Sequence, residues 1–206
     1  MPSGGNATIP MADPLRAGRD RLRTASTVLA QTPADPESLS GLLVDVPTSP
    51  DRVIVVTVGE SPAAWTGPLQ AHLADRPVAY VDVRTPNGAA ETDDTGPPPV
   101  ATVSSPADLG SLGTALTDLL GAHEDDQVAL VLSSLSDMLG YVDRELLFKF
   151  VFTLGERVRN TDAVAFYHLD PDAGDEELRT LFAHCSEAVL TETDDGLVVE
   201  DGRFDR

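Results

Sequence analysis

Few residues in this sequence combine a type and a spacing that suit catalysis. The most suggestive stretch runs from Gly59 to Thr66, GESPAAWT, between an apolar run and the start of a helix signal. A phosphate-binding loop of the GxxxxGK[ST] pattern occupies such a place between strand and helix. Laid on this stretch, Gly59 matches the first glycine and Thr66 the final hydroxyl. Ala64 stands where the second glycine belongs, and Trp65 stands where the lysine belongs. The glycine lets backbone N–H groups wrap the phosphates and the lysine neutralises them. A tryptophan supplies bulk and no charge, so the position is loop-shaped and chemically vestigial.

The other candidates carry less. His168, Asp170 and Asp172 form HLDPD after an apolar run, a cluster with metal-ligand types, but Pro171 reads as an ordinary turn. Cys185 has no His or Lys near it in sequence to lower its pKa and reads as a buried structural thiol. Ser61, Ser133, Ser134 and Ser136 sit in no G-x-S-x-G elbow, so hydrolase chemistry has no support. Trp65 reads as a core or interface residue rather than a cofactor stacker. Asn6-Ala7-Thr8 matches a glycosylation triplet without other signs of secretion. No metal site and no cofactor is expected.

Composition bounds the partners. Across 206 residues, 34 Asp and Glu face 14 Lys and Arg, a formal net charge of −20. Nucleic-acid binding rests on clustered cations and released counterions, so this balance excludes it as the default partner. The acids are 23 Asp and 11 Glu, while the bases are 13 Arg and Lys149 alone. A surface of short carboxylates with almost no lysine suits multimolar salt, where the Debye length falls to about 3 Å and self-repulsion is screened. This points to the cytosol of a halophilic archaeon. One cysteine excludes an internal disulfide framework. No apolar run approaches the roughly 20 residues of a membrane helix, and the N-terminus lacks signal-peptide regions. The expectation is a soluble cytoplasmic chain without a membrane role.

The elements that must position these residues follow from periodicity. Residues 1–12 are small, polar and interrupted by Pro2 and Pro10, which predicts disorder; Met11 leaves a second start open. Asp13 and Pro14 open a helix expected over 13–32, with Leu15, Leu22 and Leu29 every seven residues and Arg16, Arg19, Arg21 and Arg23 around them. Two readings of it stand: a helix docked on its own domain, or one presented to a partner. From residue 40 to 206 strand runs alternate with helices. The strands are expected at 42–46, 52–59, 78–83, 100–103, 128–135 and 163–169. Helices should follow Ser61-Pro62 and Pro106, a long one follows Asp143, and another lies near 174–184. The apolar residues of the long helix surround most of its circumference, which predicts a sandwiched helix. Residues 188–204 read as a hairpin turning at Asp195-Gly196. Alternation of this kind predicts one α/β three-layer domain with a mainly parallel central sheet, 52–58 and 128–133 adjacent within it, and a C-terminal β-hairpin.

With these elements placed, the stretch SSLSDMLGYVDRELLFKFVFTLGERVRNTDAVAFYHLDPD, within roughly 42–190, resembles the RecA superfamily, and in particular the ATPase domains related to KaiC. It is also similar to small haloarchaeal RecA-like proteins without a P-loop, some labelled transducer-like (HTR-like). In that family the Walker B strand ends in Asp-Ser. Here Ser133 replaces the Mg²⁺-binding aspartate and Ser134 matches the serine. The family's strand after the P-loop helix ends in glutamates that activate water, where this chain has Arg84 and Thr85. The resemblance therefore implies a RecA-like fold in which lysine, metal-binding aspartate and catalytic glutamate are absent together. Phosphoryl transfer depends on positioning and charge neutralisation, so the expectation is a non-enzymatic pseudo-ATPase. Because superfamily members pack subunit against subunit, the implied partner is a protein: a RecA/KaiC-like relative, a signalling component, or further copies of the chain. Two alternatives stay open. One is an ATPase with an atypical loop and a borrowed lysine, the other a small-molecule sensor using the strand-end crevice.

Overall fold

Residues 52–58 and 128–132 are apolar at nearly every position, and a strand buried on both faces requires a neighbour on each side. The computed structural model, which describes residues 14–32, 50–73, 76–86, 97–193 and 196–202, supplies them. In chain order the elements are α1 (Pro14–Thr24), β1 (Thr27–Gln31), β2 (Arg52–Val58), α2 (Pro62–Leu73), β3 (Val78–Val83), β4 (Ala101–Val103) and α3 (Leu109–Ala122). There follow β5 (Val128–Leu132), α4 (Leu135–Leu139), α5 (Arg144–Arg159), β6 (Val164–His168), α6 (Glu176–Ala183), β7 (Ala188–Thr193) and β8 (Gly196–Asp201). The strands form one sheet in the order β4-β3-β2-β5-β6-β1-β7-β8. All neighbours are parallel except β7 and β8, which form the antiparallel hairpin at the edge. β2 and β5 are adjacent, with Val53 opposite Ala129 and Val56 opposite Leu132.

Helices cover both faces, giving the three layers. Leu112, Leu116 and Leu120 of α3, Leu147 and Val151 of α5 and Phe182 of α6 pack on one face. Trp65 and Leu69 of α2 and Leu22 of α1 pack on the other. Four helices start on side-chain caps: Asp108, Ser134, Asp143 and Asp175 accept the N–H of Ser111, Asp137, Glu145 and Leu178. The bond from Ser111 holds the exposed Asp108 carboxyl below its ordinary pKa.

Three expectations change. The helix expected over 13–32 ends at Thr24, and Thr27–Gln31 form β1, bonded to β6 on one side and β7 on the other. The α/β domain thus includes this segment rather than starting at 40. The strand expected over 128–135 stops at Leu132, where Ser134 caps α4. Finally, α5 lies on one sheet face rather than sandwiched. Leu147, Val151, Leu154 and Val158 are buried while Leu146 is 53% exposed and Phe152 40%. The expected disorder of 1–12, the strand at 42–46 and the hairpin's turn residues 194–195 lie outside the described residues; Gly196 already belongs to β8.

α1 docks on its own domain. Gly18 faces the Val199 side chain, and Arg21 donates to the Val199 carbonyl and pairs with Asp201 at 2.7 Å. The Arg21 bond occupies one carbonyl of the edge strand β8.

Candidate functional site

In parallel sheets, ligands bind outside the carboxyl ends of the strands, where successive crossovers leave toward opposite faces. Here that point lies between β2 and β5. The chain leaves β2 for α2, packed on one face, and leaves β5 for α4 and α5, packed on the other. Every candidate from the loop pattern and the Walker B position lies at this junction.

Each of them has a structural task. Gly59 adopts φ +74°, and its N–H donates to the Val83 carbonyl at 3.0 Å, tying the exit of β2 to β3. A Cβ there would meet the Thr85 side chain at 3.2 Å. Only glycine takes this turn without strain. Ala64 is exposed on α2. Trp65 is 1% exposed and fills the α2 face of the core beside Val53, Val55 and Tyr80. Its Nε1–H donates to Glu60 Oε2 at 3.2 Å. Thr66 Oγ1 donates to the Pro62 carbonyl one turn back. The Tyr80 hydroxyl is raised above its ordinary pKa by burial, offset in part by a hydrogen bond with Thr66.

The two serines are also engaged. Ser133 Oγ accepts the Val58 N–H at 3.2 Å, stitching β5 to β2, and Ser134 Oγ caps α4. Arg84 and Thr85, at the place of the catalytic glutamates, follow β3. Arg84 Nε pairs with Asp82 at 3.3 Å, and the Thr85 side chain abuts Gly59. Lys149 is exposed on α5, across the sheet from Trp65, so it cannot replace the loop lysine within one chain.

The HLDPD residues are not brought together. His168 is fully buried with its Nε2 2.7 Å from the Thr32 carbonyl. The Asp170 carboxylate accepts the Asp172 N–H in a turn, and the Asp170 N–H donates to Ser136 Oγ. Among the described residues no three His, Cys, Asp or Glu side chains converge. Cys185 is buried, and burial pushes its thiol up to about 12. No described helix is long and apolar enough to cross a membrane.

Sequence reasoning missed β1 and with it a feature of the site. Registers pair Thr57 with Asp82 and His168 with Ala30, and one step past the last pairs, Val56–Leu132 and Leu132–Tyr167, Ser133 falls between them in the same row. Alternation puts this row on the α2 face, where the preceding rows are Val55, Val131, Phe166, Val28 and Val53, Ala129, Val164. The face turns polar only at the carboxyl ends. Thr57 Oγ1 and His168 Nδ1 are buried there without a hydrogen-bond partner. The sequence signal was a polar residue at or beside the end of three apolar strand runs, Thr57, Ser133 and His168.

Comparison with known proteins agrees on architecture. Two Pyrococcus horikoshii structures share the fold. PH0250 has a TM-score of 0.52 at 13% identity, covering 87% of this chain and 86% of that one. The uncharacterised PH0321, in complex with an unknown peptide, has a TM-score of 0.53 at 12% identity, covering 85% and 82%. The KaiC-like protein PH0186 of the same organism aligns with a TM-score of 0.48 at 11% identity, over 88% and 81%. No curated protein matches the chain. A family model, by contrast, matches residues 25–191, from just before β1 into β7, and on that match the chain belongs to DUF7504, a family of unknown function.

Proposed function

We propose that this chain is a non-enzymatic, RecA/KaiC-like pseudo-ATPase that acts as a regulatory or protein-interaction module in a halophilic archaeon. The observation that carries the reading is the reuse of the chemical positions. Trp65 is core, Ser133 stitches two strands and Ser134 caps a helix, so all three serve the fold. A second placement of the loop pattern supports it. β1 is a central strand, and the same eight-residue pattern laid from its last residue reads Gln31-Thr-Pro-Ala-Asp-Pro-Glu-Ser38. Gln31 and Pro36 then hold the glycine places and Glu37 the lysine place, which reverses the charge the phosphates require. On this placement β2 becomes the next strand and ends beside Glu60, which bonds Trp65. In either register the group that neutralises phosphate is missing. The peptide bound to the PH0321 structure shows that a protein of this fold can hold a polypeptide, in keeping with an interaction role.

Isothermal titration of the purified chain with ATP–Mg²⁺ in multimolar KCl tests the reading, and no binding is expected. Micromolar affinity, about −8 kcal/mol, would overturn it in favour of an ATPase with an atypical loop.

A further inference from the structure

We propose that the polar row Thr57–Ser133–His168 is a binding site for a small uncharged molecule, an amide or heterocycle whose edge donates to His168 Nδ1 and bonds the Thr57 hydroxyl. Three observations support it. First, the row interrupts an otherwise apolar sheet face only at the carboxyl ends of β2, β5 and β6, beside the point where the crossovers diverge. Second, Thr57 and His168 are both 0% exposed, yet each has a polar atom without a partner. Buried polar groups in native proteins are almost always bonded; among the described residues the Tyr167 and Ser186 hydroxyls are further exceptions, but only Thr57 and His168 share a row at the strand ends. Third, the His168 tautomer is set. Nε2 lies 2.7 Å from a carbonyl oxygen, which only accepts, so Nε2 carries a proton and, in the neutral ring, Nδ1 presents a lone pair.

The row also defines the chemistry of its ligand. Nδ1 accepts, the Thr57 hydroxyl both donates and accepts, and the Ser133 hydroxyl, whose oxygen takes the Val58 N–H, keeps its hydrogen to give. The arginine nearest in register, Arg84, pairs with Asp82, the row's own carboxylate. Donors and acceptors alternate without a free positive charge, which suits a neutral planar edge and not a phosphate. Thr57 and His168 stand two strand spacings apart, about 9.6 Å between backbones, a span that a small ring bridges. Both unpaired atoms are sealed from solvent, so uptake requires local opening and is slow. The inference does not depend on the loss of ATP chemistry.

The test uses the full chain in multimolar KCl and a fragment library of uncharged amides and heterocycles, with nicotinamide, uracil and adenine as named members and ATP–Mg²⁺ as a separate arm. Nitrogen-15 spectra of the four histidines, assigned through His168→Gln, report the Nδ1 lone pair directly. A fragment that shifts the His168 Nδ1 signal with slow onset, and that binds Thr57→Val at least tenfold more weakly, supports the site. Thr57→Val should itself melt about 3 °C higher, because an isosteric methyl replaces an unpaired hydroxyl. The proposal is overturned if no fragment moves the signal, if Thr57→Val binds equally, or if the signal responds to ATP alone. A free protein whose Nδ1 already reports a hydrogen bond, as an internal water would give, also overturns it.

Discussion

Replacing Trp65 by alanine separates a core role from a contact role. The indole is 1% exposed and packs against Val53, Val55, Leu69 and Tyr80, so truncation removes a large buried ring and leaves a cavity. Such changes cost about 3–5 kcal/mol. The hydrogen bond to Glu60 adds little, because Glu60 is exposed and water replaces its partner. For a chain of this size each kcal/mol moves the melting temperature by about 2–4 °C, so a fall of about 6–20 °C is expected. Trp65 is the only tryptophan, and the variant loses its fluorescence signal, so circular dichroism in multimolar KCl is the assay. Trp65→Phe should fall much less, since it keeps most of the packing. A Trp65→Ala melting point within about 2 °C of the parent would refute the reasoning and return Trp65 to the surface as a contact residue.

Further outcomes are expected elsewhere. Burial pushes the Cys185 thiol up to about 12 from 9.0 and raises the Tyr167 hydroxyl above its ordinary value. Both groups are neutral when protonated, so their contribution is full below about pH 9 and is lost as pH rises toward 12. Urea melts from pH 8 to 11 should show that decline, with a shallower slope in Cys185→Ala, while native protein resists iodoacetamide at pH 8 and unfolded protein does not. Gly202→Ala should destabilise by about 2–3 kcal/mol, because a Cβ there runs into the Ser186 carbonyl of the neighbouring turn; unchanged urea midpoints would exclude that contact. With 34 acids and one lysine, the melting temperature should keep rising into multimolar KCl, and a flat profile would refute the halophilic reading.

The strands of the sheet were legible because parallel inner strands leave an unmistakable apolar run, as in Arg52–Val58 and Val128–Leu132. β1 was not. Leu15, Leu22 and Leu29 keep a seven-residue spacing that mimics one helical seam, yet Leu22 packs on the α1 and α2 face of the sheet and Leu29 on the opposite one. The chain changes from helix to strand between Thr24 and Thr27, and the local signal is only Thr27-Val28, two β-branched residues. α4 hid for a similar reason. Ser133-Ser134-Leu135 extends the apolar pattern of β5, and the cap at Ser134 shows only once Asp137 is seen three residues later. At the site, residue types told which groups of the loop pattern Gly59–Thr66 does not carry. They did not tell that Thr57, Ser133 and His168 share a row, because register across β2, β5 and β6 is a property of the folded sheet.

On the proposed pseudo-ATPase reading, the strand ends show how a fold can reuse the positions of a phosphate site. A site missing one group, such as the lysine alone, would still present a glycine turn and a metal-binding carboxylate, and a partner subunit could complete it. Here the tryptophan at the lysine place stabilises the core, and the serine at the aspartate place holds β5 to β2 through the Val58 N–H. Lysine at position 65 would exchange a buried indole for a charged chain with Glu60 as an acidic neighbour, and aspartate at 133 would change the oxygen that receives a strand N–H. On the proposed reading, the change at 65 carries a cost in stability before it supplies any phosphate-binding group. The same logic makes the two unpaired atoms of the polar row informative, because nothing in the fold is gained by leaving them without partners.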